Sequence, residues 1–332
     1  MSIRILLTIA VAFVVSTGCD TVDDSDQDKA YDEPFQEIEW GEDVTGQLLP
    51  WELIQNPEHT PASEIHYMDD KEMVFISKVR GSVFVYPLRF MGVEVVNEDI
   101  DGVLVAVTYC PITKSANAWN RVLGSDTLLL TASGYLLRDN LMPLDMNSGS
   151  IWSQMRLVGM RGKHDMMTVE TYPLFEMSWE TVREYFPQAE VFTLAGQKKS
   201  TSESSSADYG EVFTDRQFGI LSRDHVELFD AHLFSGGTKM YSSTVHPGGK
   251  VVVIGSSDQQ YVTAFQTSYD MEPVQGEFPV ILRDESGTSW NIFGEAVDGE
   301  RMGDQLESPV YYTASGWAWE FLFRNTFEFS PS

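Results

Sequence analysis

Val93-Glu94-Val95-Val96-Asn97-Glu98-Asp99-Ile100-Asp101-Gly102-Val103-Leu104-Val105-Ala106-Val107-Thr108-Tyr109-Cys110-Pro111 is the stretch that decides the fold class. Two β-branched runs, residues 93–96 and 103–108, flank Asp101-Gly102, and a primed two-residue turn needs the positive φ that this dipeptide tolerates. A hairpin is predicted, with its second strand reaching Cys110, where Pro111 forces a turn. Short runs of the same kind recur at residues 73–76, 83–86, 127–131, 251–254, 261–265 and 278–282, several separated by Gly, Asn or Asp. Helices are the minority. Ser178 can cap one that places Trp179, Val182, Tyr185 and Phe186 on a face and ends at Pro187. Residues 48–54 read as one short helix anchored by Trp51, and residues 317–323 fit either a strand or a helix. The expected fold is mainly β with a few short helices, a β-rich α+β protein made of two related β-rich halves.

The relation between the halves comes from a repeated motif. Asp145-Met146-Asn147-Ser148-Gly149-Ser150-Ile151-Trp152 answers to Asp284-Glu285-Ser286-Gly287-Thr288-Ser289-Trp290 with one residue dropped. A Trp-rich segment follows each, around Trp179 and around Trp317 and Trp319. This pattern reads as an internal duplication. Residues 46–195 are the first half and residues 213–332 a degenerate second half without a counterpart of Thr108-Tyr109-Cys110-Pro111. The serine-rich residues 196–212 read as a linker. Because the motif is duplicated, Asp145, Trp152, Asp284 and Trp290 are expected to be structural.

The chain has 332 residues, 22 Lys+Arg against 50 Asp+Glu, a net charge of −28, 42% hydrophobic residues and two cysteines. That apolar content can form a core. The acidic excess excludes nucleic acid as a partner, since phosphate contacts need Lys and Arg, and two cysteines cannot staple a disulfide scaffold. Arg4 and a short apolar run, residues 5–15, precede Ser16-Thr17-Gly18-Cys19. The run is too short for a bilayer, which takes about 20 residues. Residues 1–18 therefore read as a signal segment cut before a lipidated Cys19. Residues 19–45, dense in Asp and Glu, read as an extended tether. The expected location is the bacterial cell envelope, with a lipid anchor in the membrane, at the outer membrane or cell surface ahead of the inner membrane.

Cys110 is the candidate catalytic residue. A thiol at a strand end becomes nucleophilic when nearby cations lower its pKa from about 8.5, and Lys114 and Arg121 are close in sequence. The alternative is a small buried hydrophobe. Arg89, Asn97, Lys114, Arg121 and Gln154 are candidate binding residues, able to hold an anionic or carbonyl-bearing small molecule or to tie loop carbonyls together. His59, His66, His164, His225, His232 and His246 form no H-x-x-x-H pair and there is no C-x-x-C, so neither a metal site nor a cofactor is assigned. The crowding of Met142, Met146, Met155, Met160, Met166 and Met167 leaves soft-metal binding, copper(I) with Cys110, as a further alternative. No G-x-S-x-G elbow, P-loop or phosphate-binding glycine fingerprint occurs.

The residues Val85-Tyr86-Pro87-Leu88-Arg89, Glu94-Val95-Val96-Asn97 and Val107-Thr108-Tyr109-Cys110-Pro111, with Ser115-Ala116 and Arg121, resemble the family called domain of unknown function 3179. So do Ser133-Gly134, Leu141-Met142 with Asp145, and Gly149-Ser150-Ile151-Trp152-Ser153-Gln154. The likeness extends to residues 284–290, Gly294-Glu295-Ala296-Val297-Asp298-Gly299 and Gly303-Asp304-Gln305-Leu306. It covers roughly residues 73–192 and 250–325. Family members typically read T-Y-C-P-L-C, some with selenocysteine at the second position, which implies thiol or selenol redox chemistry or a soft-metal site. Here Thr113 stands at the second cysteine, Lys114 follows it, and Val93 replaces a frequent His before Glu94. A two-thiol cycle within the motif is therefore excluded.

Three functions follow as expectations. The first is a non-catalytic envelope lipoprotein whose scaffold binds a small ligand or an envelope protein. The second is a single-thiol redox protein using Cys110, and the third a copper-binding protein.

Overall fold

The Asp101-Gly102 hairpin forms as the sequence requires. Val95–Ile100 pairs antiparallel with Val103–Cys110, and the turn residues have φ of 49° and 83°. Ser115–Asn120 and Thr171–Tyr172 extend this sheet. The computed structural model describes residues 38–194, 216–222, 225–243 and 249–331. The expected signal segment, Cys19, most of the tether and the 196–212 linker lie outside them. Strands dominate, with two α-helices among the described residues, Trp179–Tyr185 and Gly316–Leu322. The fold is β-rich, as expected.

The order of sheets in residues 38–194 recurs in residues 216–331. In the first part, one sheet runs Phe175–Ser178, Met73–Val79, Ser82–Pro87, Glu190–Phe192, His59–Pro61, and its third and fourth strands are parallel. In the second part, Val310–Ser315, Arg216–Leu221, Val226–Asp230 and Thr326–Glu328 follow the same order, again with the last two parallel. A strand feeds a seven-residue helix in both, Phe175–Ser178 into Trp179–Tyr185 and Val310–Ser315 into Gly316–Leu322. The Val103–Cys110 hairpin likewise matches Val251–Ser256 with Tyr261–Gln266. Cys110↔Ser115 and Ser256↔Tyr261 each close a four-residue loop whose last residue is left-handed, Lys114 at φ 53° and Gln260 at φ 57°.

The cores are shared rather than separate. Trp119, Trp152, Leu130 and Leu141 pack in one cluster with Val226, Leu228, Tyr312, Trp319 and Leu322 from residues 216–331. Val74, Ile76, Val85, Met177 and Trp179 pack in another with Phe218, Phe229, Ile254, Phe265 and Trp290. A third, between the 73–87 and 95–110 hairpins, holds Phe75, Tyr86, Val107 and Phe192. The seam is also held by polar contacts. Thr113 O accepts from Ser315 N at 2.8 Å, Tyr312 Oη donates to Met155 O, and Arg216 clamps the Glu176 carboxylate. Gly219 lies under the Trp319 indole, where a Cβ would fall 2.5 Å from the ring, so no larger residue fits without moving the helix.

Several local expectations are corrected. Residues 48–54 are not a helix. Leu49 N and Trp51 N donate to Ser133 O and Ala132 O at 2.8 and 3.0 Å, and Leu48, Leu49 and Trp51 stay exposed, so no face is buried to favour one. Residues 317–322 belong to a helix that Phe323 ends in extended backbone, with Trp319 buried and stacked on Tyr312 at 4.7 Å. Val93 ends a 3-10 segment, Leu88–Val93, and the strand starts at Val95. The run at 127–131 splits, a two-residue strand Asp126–Thr127 preceding Leu130–Leu137. The tether stops short of 45, because Val44–Gly46 pairs with Leu130–Leu137 and Asp43 meets Arg138 at 2.8 Å. Ser178 does cap its helix, accepting from Thr181 N at 3.3 Å, and Trp179 and Val182 are buried, but Tyr185 is largely exposed.

Candidate functional site

The Cys110-Pro111-Ile112-Thr113 turn opens onto a buried polar cluster of four side chains from three segments. Thr113 Oγ1 lies 2.9 Å from Ser115 Oγ, which donates to Gln154 Oε1 at 2.7 Å. Asn140 Nδ2 donates to Gln154 Oε1 at 2.8 Å and Thr113 Oγ1 at 3.0 Å, while its Oδ1 accepts from Met155 N at 3.0 Å. Gln154 Nε2 donates to Ser115 O at 3.0 Å. Thr113, Ser115, Asn140 and Gln154 are each fully buried. Their mutual bonds satisfy the groups that burial would otherwise leave costly. Cys110 sits beside this cluster with 1% of its surface exposed, and Sγ donates to Asp139 O at 3.5 Å. In the matching loop, Ser256 and Gln259 occupy the positions of Cys110 and Thr113, and Ser256 Oγ donates to Gln259 Oε1 at 2.7 Å.

The five candidate binding residues do not converge on one pocket. Arg89 clamps the Glu72 carboxylate, with Nε 2.7 Å from Oε2. Asn97 is buried and bridges strands, donating to Leu130 O at 2.7 Å and Ile54 O at 3.0 Å while accepting from Leu130 N at 3.0 Å. Arg121 donates to Leu128 O at 2.7 Å and Glu98 O at 3.1 Å rather than facing Cys110. Lys114 contributes its carbonyl, which accepts from Arg216 at 3.3 Å, and Gln154 belongs to the polar cluster. The six methionines scatter too. Met142 and Met155 are core, while Met146, Met166 and Met167 are exposed. Among the described residues, no group of three or more His, Cys, Asp or Glu side chains is placed to hold a metal.

The repeated motif builds the same turn twice. Asp145 Oδ1 accepts from Leu129 N at 2.9 Å, and its second oxygen accepts from Ser148 Oγ. Asp284 Oδ1 accepts from Ser286 N and Thr288 N at 2.9 and 3.0 Å, and Oδ2 from Trp290 Nε1 at 3.2 Å. Burial alone would push the Asp284 carboxyl up, but those donors hold it below the usual range. A Cβ at Gly162 or Gly299 would strike Ser150 or Thr288, so each turn is closed by a glycine two residues before a nitrogen-bearing side chain that reaches the motif's aspartate. That side chain is Arg301 in one case, 3.2 Å from Asp284. In the other it is His164, set between Asp126 at 3.0 Å and Asp145 at 3.7 Å.

Where the halves meet, a cleft of about 410 Å³ opens between Lys78, Tyr172 and Phe175 on one side and Phe265, Phe293 and Tyr311 on the other. Lys78 Nζ is 2.6 Å from Glu295 Oε2 and 5.4 Å from the Phe293 ring centre. Thr263 Oγ1 and Tyr311 Oη share a hydrogen bond of 2.9 Å at the wall. Sequence reasoning missed this site, because its wall residues read as ordinary strand residues until the two halves are docked.

Glu94 was also missed as a site. It has φ 64°, a left-handed conformation rare for glutamate, and no ion-pair partner among the described residues. Burial pushes its carboxyl from 4.5 up to about 7. A group raised on folding stabilises the protein below its unfolded value and loses that contribution as pH climbs through the folded value. Glu94→Gln is therefore expected to be more stable than wild type at pH 8 and nearly equal at pH 4, with the difference growing between about 4.5 and 7. Urea unfolding of both proteins across that range measures it. A constant difference would rule it out.

A family model described as "Protein of unknown function (DUF3179)" matches residues 53–229. The chain belongs to this family. No curated protein and no solved structure matches it. The DUF3179 match takes in Glu94, Cys110, the polar cluster and the first copy of the turn motif, and it stops before Asp284. Thr113, three residues after Cys110, is tied into the amide network. Cys110 is accordingly expected to resist alkylation in the native state and to label only on unfolding. Intact mass against urea concentration, with labelling coincident with the fluorescence transition, is the check.

Proposed function

We propose that this DUF3179 member is a non-catalytic binding protein of the bacterial cell envelope, held at a membrane through a lipid on Cys19 and built from a duplicated β-rich unit. The matching strand orders and the twice-built Asp turn support the duplication. Burial of Cys110 beside a saturated hydrogen-bond network favours scaffold over thiol chemistry, since a reactive thiol must be reached. The observation that carries the binding reading is the seam cleft of about 410 Å³. It has the size and aromatic walls of a small-molecule site, with Lys78, Thr263, Glu295 and Tyr311 among its polar groups, and it lies where two structural units meet.

The neutral dye N-phenyl-1-naphthylamine is expected to bind once per chain with enhanced fluorescence. Ser308→Trp, which fills the cleft from its rim, is expected to abolish that binding without changing the melting temperature. Retention of the dye by this variant would defeat the reading.

A further inference from the structure

We infer that the seam cleft takes a flat apolar molecule carrying one anionic group, and that Arg80 receives the anion; this rests on the binding reading above. Phe175, Phe265, Phe293 and Tyr311 among the lining residues offer ring faces and edges suited to a planar body. The charges at the mouth decide the rest. Lys78 is already neutralised by Glu295, which Asn291 Nδ2 also holds at 2.8 Å. Arg80 lines the same cleft and has no ion-pair partner among the described residues. In a protein with a net charge of −28, an unmatched guanidinium in a cleft is a local positive point in a negative field, which draws anions and discourages cations.

The backbone adds a second observation. Arg80-Gly81 is the two-residue turn of the 73–87 hairpin, with φ of 52° and 85°. Asn, Asp or Gly suits the first position of such a turn, and arginine carries a conformational cost there that the turn itself does not explain. A planar guanidinium is also the side chain that can grip a carboxylate or sulfonate with two parallel bonds. Its placement at the rim leaves the anion in water's reach while the apolar body enters between the rings.

Two dyes of one skeleton separate the possibilities. 8-Anilinonaphthalene-1-sulfonate adds a sulfonate to N-phenyl-1-naphthylamine. At low salt the sulfonate is expected to bind about ten-fold more tightly, the order of one charge-assisted bond. Arg80→Asn keeps a residue at home in the turn. It is expected to erase that advantage, leave the neutral dye unchanged and leave the melting temperature at or above wild type. Equal affinities for the two dyes, or equal weakening of both by Arg80→Asn, would overturn the anion assignment while seam binding stands. If Ser308→Trp removes neither dye, the binding reading itself falls and takes this inference with it.

Discussion

A chain ended at residue 194 is expected to show no cooperative unfolding transition. Its core around Trp119 and Trp152 would lose Val226, Leu228, Tyr312, Trp319, Leu322 and Phe323, which close it from residues 216–331. Three of these are aromatic, burying on the order of 150–250 Å² each. At about 25 cal/mol/Å² their loss forfeits on the order of 10 kcal/mol, comparable with the whole net stability of a typical protein, about 5–15 kcal/mol. Hydrogen bonds go too, including the one from Ser315 N to Thr113 O and the one from the Arg156 guanidinium to Leu322 O at 3.3 Å. Urea titration followed by tryptophan fluorescence reads the outcome, and adding residues 216–331 as a second chain is expected to restore the transition. A sharp transition for the truncated chain alone would mean that the halves fold independently.

Gln154→Leu is expected to destabilise the protein by about 3 kcal/mol, although it preserves volume and adds hydrophobicity. The amide is the hub for Ser115, Asn140 and the Ser115 carbonyl. Removing it strands buried donors and an acceptor at about 1–3 kcal/mol each, while Thr113 recovers part of that by keeping Ser115 and Asn140. The residue two beyond the other motif tryptophan is Ile292, fully buried among Phe265, Ile281 and Leu282. An apolar side chain is thus acceptable at the corresponding place when its surroundings are apolar. A shift of the urea midpoint equivalent to under 1 kcal/mol would show that the network relaxes around the loss.

The parts legible in the sequence are those governed by neighbours along the chain. Asp101-Gly102 marks its turn because only the local φ matters, and Ser178 marks a cap because its acceptor, Thr181 N, is three residues away. The Asp turns could be matched by eye because each is closed within a few residues. What failed depended on distant partners. Leu48 and Trp51 look like a helix face, but the edge at Ala132 and Ser133 claims the backbone of Leu49 and Trp51. Arg89 and Arg121 are cations near strand ends that find Glu72 and the Leu128 and Glu98 carbonyls. Glu94 is one carboxylate among 50 acidic residues, and nothing local signals that burial will hold it near neutrality. The Gln154 hub joins Ser115 to a residue 39 positions on, and the seam cleft joins Lys78 to Glu295, 217 positions on, separations that no spacing rule encodes.

The placement of Trp319 beneath the first core has a consequence for synthesis. Trp152 leaves the ribosome long before the indole that completes its surroundings. Translation of the stretch from residue 194 to Trp319 takes on the order of 10 s at about 5–20 residues per second. During that interval the N-terminal sheets expose an unfinished apolar face, a state that invites association with other nascent chains. A first core closed by Gly316–Leu322 can finish folding only after that helix has been made.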